Sequence, residues 1–401
     1  MICRAKVFTF VKICAIILVM KIFGKCLTTV LAAAGLFTLA GCARGSSSAK
    51  ISTSANWNVR TSTAVEKNNF DFWQRNKEVA TYSLSFKEGS NSSYRIEYDN
   101  LDSVTYTTSF YMQSFDWVSE TIEEYRSEES ETEPVYVYET ELKISGAYQL
   151  KSNGEKLTFR DELITKCYFR PAGSNLQPVY SYQKVINTAP AALSTGNVSS
   201  SYVRVDEEFF TYYNKACTQA TVKSKVYKSE TDRTDFTEGE KKLGLSGNSG
   251  RSNFDNSQLR AAIRGFTMSG SGTRTFNVVT PQNGTVQSVS AGFSNPNELN
   301  ATDDAQIIAA LNSAPVDYIF FDGRLPDGTA SETPRNYRYN SVSLSINESL
   351  KGTSPTLWYS AVENNDVNAT RCVLLKMSTP LSFGLGTLTY TLKSLDVQTI
   401  G

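Results

Sequence analysis

The pattern of hydrophobic and polar positions has a period of two residues along most of the chain past residue 78. In one stretch, Tyr82, Leu84 and Phe86 alternate with serines. This period predicts β-strands that have one face in water and the other against a core. The same alternation recurs in Tyr94/Ile96/Tyr98, Val104/Tyr106, Leu142/Ile144, Phe276/Val278, Val342/Leu344/Ile346 and Leu388/Tyr390/Leu392.

Two Asn-Gly pairs, Asn153-Gly154 and Asn283-Gly284, stand between alternating segments. An Asn-Gly pair supplies the positive φ angles of a type I′ turn, which connects neighbouring antiparallel strands. We therefore predict a mainly β fold with one large, curved antiparallel sheet. The flanking segments are Ala147–Lys151 and Lys156–Phe159 for the first pair, and Phe276–Thr280 and Thr285–Ser290 for the second.

Only a few short helices are predicted. Thr302 is placed to cap a helix over Asp303–Leu311, with acidic residues in its first turn and Ile307, Ile308 and Leu311 on one face. The other two are Ser257–Arg264, capped by Asp255 or Asn256, and a segment within Thr61–Lys77.

Two apolar stretches open the chain, from about Val7 to Val19 and from Leu27 to Ala40. Lys21 and Lys25 precede the second stretch. Basic residues, a short apolar region and then small residues before a cleavage point are typical of a secretory signal. The first stretch is interrupted by Lys12 and is short for a stable membrane span.

The second apolar stretch ends in Leu39-Ala40-Gly41-Cys42, which resembles the lipobox of bacterial lipoproteins. The resemblance implies that the sulfur of Cys42 receives a diacylglycerol, with fatty acyl chains such as palmitate, and that the peptide bond before Cys42 is cut. It further implies a protein anchored to the outer face of the bacterial cytoplasmic membrane, in the cell envelope. Two acyl chains hold a protein to a bilayer much more firmly than one.

These features predict three parts of the chain. Residues 1–41 are the expected signal peptide, and Met20 is an alternative true start because a complete signal follows it. Residues 42–60 comprise the lipidated cysteine and a small, polar, flexible tether. Residues 61–401 form the expected β-rich extracytoplasmic domain, and the stretch 243–253 is either a long loop or a subdivision.

The C-terminal half also resembles a group of uncharacterised bacterial surface lipoproteins, similar in turn to the lipoprotein-carrier (LolA-like) half-barrel. The resemblance implies a curved sheet around a few helices, whose concave apolar face can hold lipid chains. It brings no catalytic residues, and it is loose between Asp322 and Tyr337. We expect the matched Phe276, Trp358, Tyr359 and Tyr390 to be core or sheet residues. The residues that carry the resemblance are Phe254–Asn256, Leu259, Arg264–Phe266, Thr275–Val278, Thr356–Ser360, Val373–Met377 and Leu388–Tyr390.

The amino-acid composition excludes several classes of catalytic and binding site. The chain has no histidine, which excludes Ser-His-Asp and Cys-His sites and the usual nitrogen ligand of metals. Its 40 basic and 40 acidic residues leave no basic surplus for nucleic acid. We expect no metal and no cofactor. Cys167, Cys217 and Cys372 are interpreted as buried free thiols, with a Cys167–Cys217 disulfide as the alternative if their strands are neighbours.

Two surface features have competing interpretations. The segment Glu120–Glu133, with seven glutamates, is a cation or basic-partner site or, as we favour, a solvated loop ending at Pro134. Tyrosine pairs could form a sugar- or lipid-contacting surface, but tyrosine is ordinary at half-wet sheet positions. These pairs are Tyr136 and Tyr138, Tyr212 and Tyr213, and Tyr337 and Tyr339.

The leading functional hypothesis is a non-catalytic, membrane-anchored lipoprotein that holds a lipid or other hydrophobic ligand in a half-barrel. The alternative is an envelope module that grips cell wall or a protein partner and has no ligand cavity. A hydrolase would need Ser-Lys or paired-carboxylate chemistry, and no spacing supports either one. The ligand-binding residues and any protein partner are left unassigned.

Overall fold

The protein is described from a computed structural model. The described residues begin at Trp73, so the N-terminal segment and several internal stretches lie outside this part of the chain. The described ranges are 73–126, 131–172, 175–190, 202–245, 252–264, 271–314, 337–346, 355–361, 372–381 and 384–400.

The described residues form a 17-stranded sheet, as the alternating pattern predicts. In chain order the strands are β1 Asn76–Glu88, β2 Tyr94–Tyr98, β3 Thr105–Asp116, β4 Thr132–Leu150, β5 Lys156–Ala172, β6 Asn175–Pro190, β7 Tyr202–Tyr213, β8 Gln219–Tyr227, β9 Phe236–Gly244, β10 Asn253–Asp255, β11 Gly272–Thr280, β12 Thr285–Phe293, β13 Asn297–Glu298, β14 Arg338–Ile346, β15 Thr356–Ser360, β16 Leu374–Leu381 and β17 Gly386–Thr399.

Neighbouring strands pair in a simple order. β9, β8, β7, β6, β5, β4 and β3 follow one another, and β3 then pairs with β1. β1 pairs with β17, which continues through β16, β15, β14, β12 and β11 to β10. β2 pairs with the part of β4 that extends beyond its ladder with β3, and β13 pairs with β14. Every one of these ladders is antiparallel except β10–β11, so the predicted large antiparallel sheet is confirmed.

The sheet curves until its two ends overlap, without closing through a ladder between β9 and β10. Instead, Asp255 of β10 lies against β6, where it accepts hydrogen bonds from Ser181 and Gln183. Val279 of β11 packs with Phe209 of β7 in a second apolar cluster. The largest hydrophobic cluster fills the concave side and draws residues from both halves of the chain.

Two α-helices lie wholly within the described residues: α1 over Leu259–Ile263 and α2 over Ala305–Ser313. α1 lies within the predicted segment Ser257–Arg264 but is shorter, and Gln258, not Asp255 or Asn256, occupies its N-cap position. The α2 prediction needs correction, because Thr302 and Asp303 precede the helix and Asp304 occupies the N-cap position. The Asn300 side chain accepts from the backbone N–H groups of both Thr302 and Asp303 and so holds them in a turn. Ile307 and Leu311 are fully buried, as the predicted apolar face requires.

The third predicted helix, within Thr61–Lys77, falls mostly outside the described residues. Trp73–Arg75 are helical, but β1 already begins at Asn76. Trp73 is buried and packs edge-on against Phe110, with ring centroids 4.6 Å apart. The described end of this segment is therefore helical, within the predicted bounds.

Both predicted Asn-Gly hairpins exist, but the predicted type I′ turns are wrong. Gly154 and Gly284 have positive φ angles of 75° and 53°, whereas neither Asn153 nor Asn283 does. A type I′ turn needs positive φ at both central residues. The second hairpin instead has a 3₁₀ turn over Pro281–Asn283 before Gly284, which makes the loop longer.

Candidate functional site

The predicted lipidation residue Cys42 and the lipobox residues Leu39, Ala40 and Gly41 lie outside the described residues. The same holds for residues 42–60 and for the loosely matched stretch 322–336. The proposed subdivision near 243–253 stays a prediction, with β9 before it and β10 after it in one sheet. Among the described residues, a ligand could bind at the concave face of the sheet or in a groove on its outer face.

The concave face is occupied by α1. All five residues of this helix are buried, including the charged Arg260 at 6% exposure. The Arg260 guanidinium donates to the hydroxyl of Tyr106 and lies 5.5 Å from the centre of its ring. The hydroxyl of Tyr359 donates to the carbonyl oxygen of Arg260 at 2.9 Å. Side chains of the sheet thus hold the helix at its backbone and at its charged group.

A buried ion pair fixes the C-terminal end of α1. Arg264 donates to both carboxylate oxygens of Glu78 on β1, at 2.8 and 2.7 Å. Its guanidinium also donates to the Cys372 carbonyl oxygen at 2.6 Å. Burial opposes the charge of Arg264, but the adjacent Glu78 carboxylate outweighs burial and raises the pKa of Arg264. A bidentate ion pair between a planar guanidinium and a planar carboxylate strongly restricts the relative orientation of the two side chains.

A second polar group, the Asp255 cluster, joins β10 to β6 and β7. The Asp255 carboxylate accepts from the hydroxyls of Ser181 and Tyr213, both at 2.6 Å, and from the backbone N–H of Ser257 at 2.8 Å. Burial raises the pKa of Asp255, while these donors oppose the shift. Gln183 also donates to Asp255 and Ser257. The cluster connects the overlapping ends of the sheet through mutual hydrogen bonds.

The aromatic residues that match the half-barrel lipoproteins lie largely in the core, as expected. Phe276, Tyr359 and Tyr390 are fully buried. Trp358 differs, because it is only partly buried. Its ring stacks on Tyr339 with centroids 4.2 Å apart and lies under the Lys376 ammonium, also at 4.2 Å.

All three cysteines of the body are free and buried, so the favoured interpretation is confirmed. Cys217 does not lie on a strand, which corrects that prediction. It occupies the turn between β7 and β8 with a φ of 52°. Burial raises the pKa of Cys217 to about 12 and also raises the pKa of Cys167, which keeps both thiols protonated near neutral pH.

In the acidic segment, Glu120, Glu123 and Glu124 are exposed, as a solvated loop predicts, but other residues pack on the sheet. Tyr125 is buried at 9% exposure, and its hydroxyl is 2.8 Å from the hydroxyl of Thr221 on β8. Glu133 accepts from the Trp117 indole N–H and from Arg170. Pro134 lies inside β4, opposite Ser114, so the predicted end of the loop is wrong. The described part of the segment therefore packs across the outer face of the sheet.

The outer face also carries an open groove, which we call the outer groove. Its volume is about 490 Å³, within the usual range for small-molecule sites. Phe210 and Tyr212 of β7 form its apolar floor and alternate with Phe209 and Tyr213, which face the core. The charged lining residues are Lys223 and Lys225 of β8 and Glu238 and Glu240 of β9.

Sequence reasoning identified Tyr212 but missed Phe210 and the lysines. Their signal was present in the period-two alternation, because Lys223 and Lys225 share a strand face, as do Glu238 and Glu240. Tyr213, Tyr136 and Tyr138, by contrast, are buried and do not form the predicted contact surface. Tyr337 is also buried, at 8% exposure, and only Tyr339 of that pair is partly exposed.

The described residues contain no group of three or more cysteine, aspartate or glutamate side chains placed to hold a metal ion. Across the same ranges, no helix combines the length and apolar character that a membrane crossing needs. Among the buried charged groups, Arg264 is paired with Glu78, whereas Arg260 and Asp255 are hydrogen-bonded to hydroxyl groups.

No family model matches the chain, and no curated protein is significantly similar to it. Two solved structures match, one of which is a β-barrel-like protein of a domain of unknown function, DUF1849, from Brucella abortus. It shares 10% sequence identity, covers 81% of this chain and 99% of its own, and gives a TM-score of 0.34.

Proposed function

We propose that the protein is a lipid-anchored, non-catalytic lipoprotein of the bacterial cell envelope, held by Cys42 on the outer face of the cytoplasmic membrane. Its β-rich body acts as an interaction module that binds envelope material or a protein through its outer surface. The lipobox resemblance at Leu39–Cys42 supports the anchor, and the architecture of the body supports the interaction role.

One observation carries the interaction role: α1 and its contacts occupy the concave face. A ligand cavity for acyl chains would need an open, apolar concave surface. Here Leu259, Ala261, Ala262 and Ile263 are fully buried there, and Arg260 is engaged by tyrosines. The described interior therefore favours an interaction module over the holding of a lipid inside a half-barrel.

The polar groups of the concave face also support a non-catalytic role. Catalytic acids, bases and nucleophiles need access to substrate and a partner that activates them. Asp255 is fully buried and receives hydrogen bonds from Ser181 and Tyr213, while Glu78 is paired with Arg264. Contacts that stabilise the fold thus account for these groups.

Substitution of the lipidated cysteine tests the anchor. In Cys42→Ser cells fed labelled palmitate, we expect no label on this protein and its loss from the membrane fraction. Cys26→Ser is the matched control, because Cys26 lies in the same N-terminal segment but outside the lipobox. That variant should retain both label and membrane attachment. Retention of the Cys42→Ser protein in the membrane fraction, without label, contradicts the proposed anchor.

A further inference from the structure

The floor of the outer groove belongs to a longer row of aromatic rings that crosses neighbouring strands. Tyr168 of β5, Tyr180 of β6 and Tyr212 of β7 follow one another with ring centroids 5.5 and 5.1 Å apart. A second row runs beside it, where Tyr182 of β6 and Phe210 of β7 lie 5.4 Å apart. Cross-strand contacts of this kind fix the rings, so a ligand need not order them on binding.

The charges of the outer groove balance. Lys223 and Lys225 face Glu240 and Glu238 across the β8–β9 ladder, which gives two positive and two negative groups. Lys223 and Glu240 are half exposed, and their charged atoms are 4.0 Å apart, so this contact is weak. Their donors and acceptors are therefore available to other polar groups. Balanced charge disfavours both a polyanion and a strongly basic peptide.

Side-chain contacts bound the outer groove at both ends. At one end the Tyr125 hydroxyl meets Thr221, which lies opposite Tyr212 in the ladder. At the other end the Arg233 guanidinium stacks 3.3 Å from the centre of the Tyr227 ring and donates to Glu208 at 2.8 Å. These contacts limit the length of the groove and hold its shape.

From this geometry we propose that the outer groove binds a neutral oligosaccharide. Sugar C–H groups carry partial positive charge and pack against the negative faces of aromatic rings such as Phe210 and Tyr212. Sugar hydroxyls both donate and accept, which matches the mixed lysine and glutamate lining. An acyl chain would displace water from these four charged side chains and offer no hydrogen bonds in return. A neutral oligosaccharide is thus the class of partner that we assign to the envelope module. This assignment rests on the proposed location of the protein in the cell envelope.

Calorimetric titration of the detergent-solubilised full chain tests the site. The probes are three neutral tetrasaccharides: β-1,4-linked N-acetylglucosamine, β-1,4-linked glucose and α-1,4-linked glucose. We expect saturable binding of at least one of them, and weakening by about tenfold or more in Phe210→Ala and in Tyr212→Ala. Phe210→Tyr, which keeps a ring on the floor, should restore most of the affinity.

Tyr202→Ala is the matched control, because Tyr202 is 59% exposed on the same strand but does not line the groove. It should leave affinity unchanged. The proposal is overturned if none of the three probes binds, or if Phe210→Ala and Tyr212→Ala bind as the parent does. Tighter binding of heparin, a polyanion, than of every neutral probe overturns it too.

The Cys42→Ser variant separates this proposal from the proposed anchor. If both hold, that variant leaves the membrane yet binds the tetrasaccharide with unchanged affinity. Loss of anchoring without loss of binding thus supports each separately. Normal anchoring of a chain that binds no probe refutes only the sugar site.

Discussion

The buried concave face and the exposed surface of the protein use the same residue types in different ways. On the concave side, Arg264 and Glu78 form an ion pair whose side chains are only 11% and 3% exposed. In the hairpin between β8 and β9, Lys228 and Asp235 form a pair at 59% and 51% exposure. A buried charge must keep its partner because desolvation is costly, whereas an exposed one can exchange partners with water. Polar groups therefore stabilise the interior but remain available for recognition outside.

The largest expected effect comes from removing one member of the buried pair. Arg264→Met leaves the Glu78 carboxylate without its partner inside the core, so we expect a loss of about 3–5 kcal/mol in the free energy of unfolding. The exposed counterpart in the β8–β9 hairpin, Lys228→Met, should cost less than about 0.5 kcal/mol in the free energy of unfolding. Urea unfolding followed by tryptophan fluorescence measures both.

A double variant sharpens this comparison. Replacing both members, Arg264→Met with Glu78→Gln, removes the unpaired charge and should recover part of the stability lost in Arg264→Met alone. Equal losses for Arg264→Met and Lys228→Met would show that the buried and exposed pairs do not differ as described.

A smaller effect concerns Glu207, which shares a face of β7 with the core residue Phe209. Burial, helped by the neighbouring Asp206, raises the pKa of Glu207 to about 7. Because this value lies above the ordinary 4.5 of glutamate, the folded state binds the proton more tightly. Stability should therefore fall between about pH 4.5 and 7 and stay lower above that range.

Glu207→Gln should remove the contribution of Glu207 to this decline and raise stability at pH 8 by about 1–2 kcal/mol, with little change at pH 4.5. Glu155→Gln, in the exposed turn between β4 and β5, is the control and should leave stability at pH 8 unchanged. Unfolding midpoints measured from pH 4 to 8 check both variants. A parent profile without a decline toward pH 7 would contradict the role given to Glu207.

Much of the fold could be predicted because strand periodicity is local. Buried residues alternate with polar ones in β1, at Tyr82 and Leu84, and in β17, at Leu388, Tyr390 and Leu392. Each strand can therefore be recognised by itself. Turn geometry was less predictable. Asn283-Gly284 indicated a two-residue turn, but Pro281 starts a 3₁₀ turn and lengthens the loop.

The interior contacts could not be predicted because their partners are distant in sequence. Arg264 and Glu78 are separated by 186 positions, and Arg260 and Tyr106 by 154. No short motif connects residues so far apart, and only the curvature of the sheet brings them together. Phe210, by contrast, belongs to a recognisable strand, and its place in a groove depends on the neighbouring β8 and β9.

We expect side chains, and not a bound lipid, to fill the concave face. Purified Cys42→Ser protein, which lacks the proposed anchor lipid, can be extracted with organic solvent and the extract analysed by mass spectrometry. The extract should contain no hydrophobic molecule in stoichiometric amount. A lipid or fatty acid recovered at about one per chain, and lost when the protein is unfolded, would contradict it.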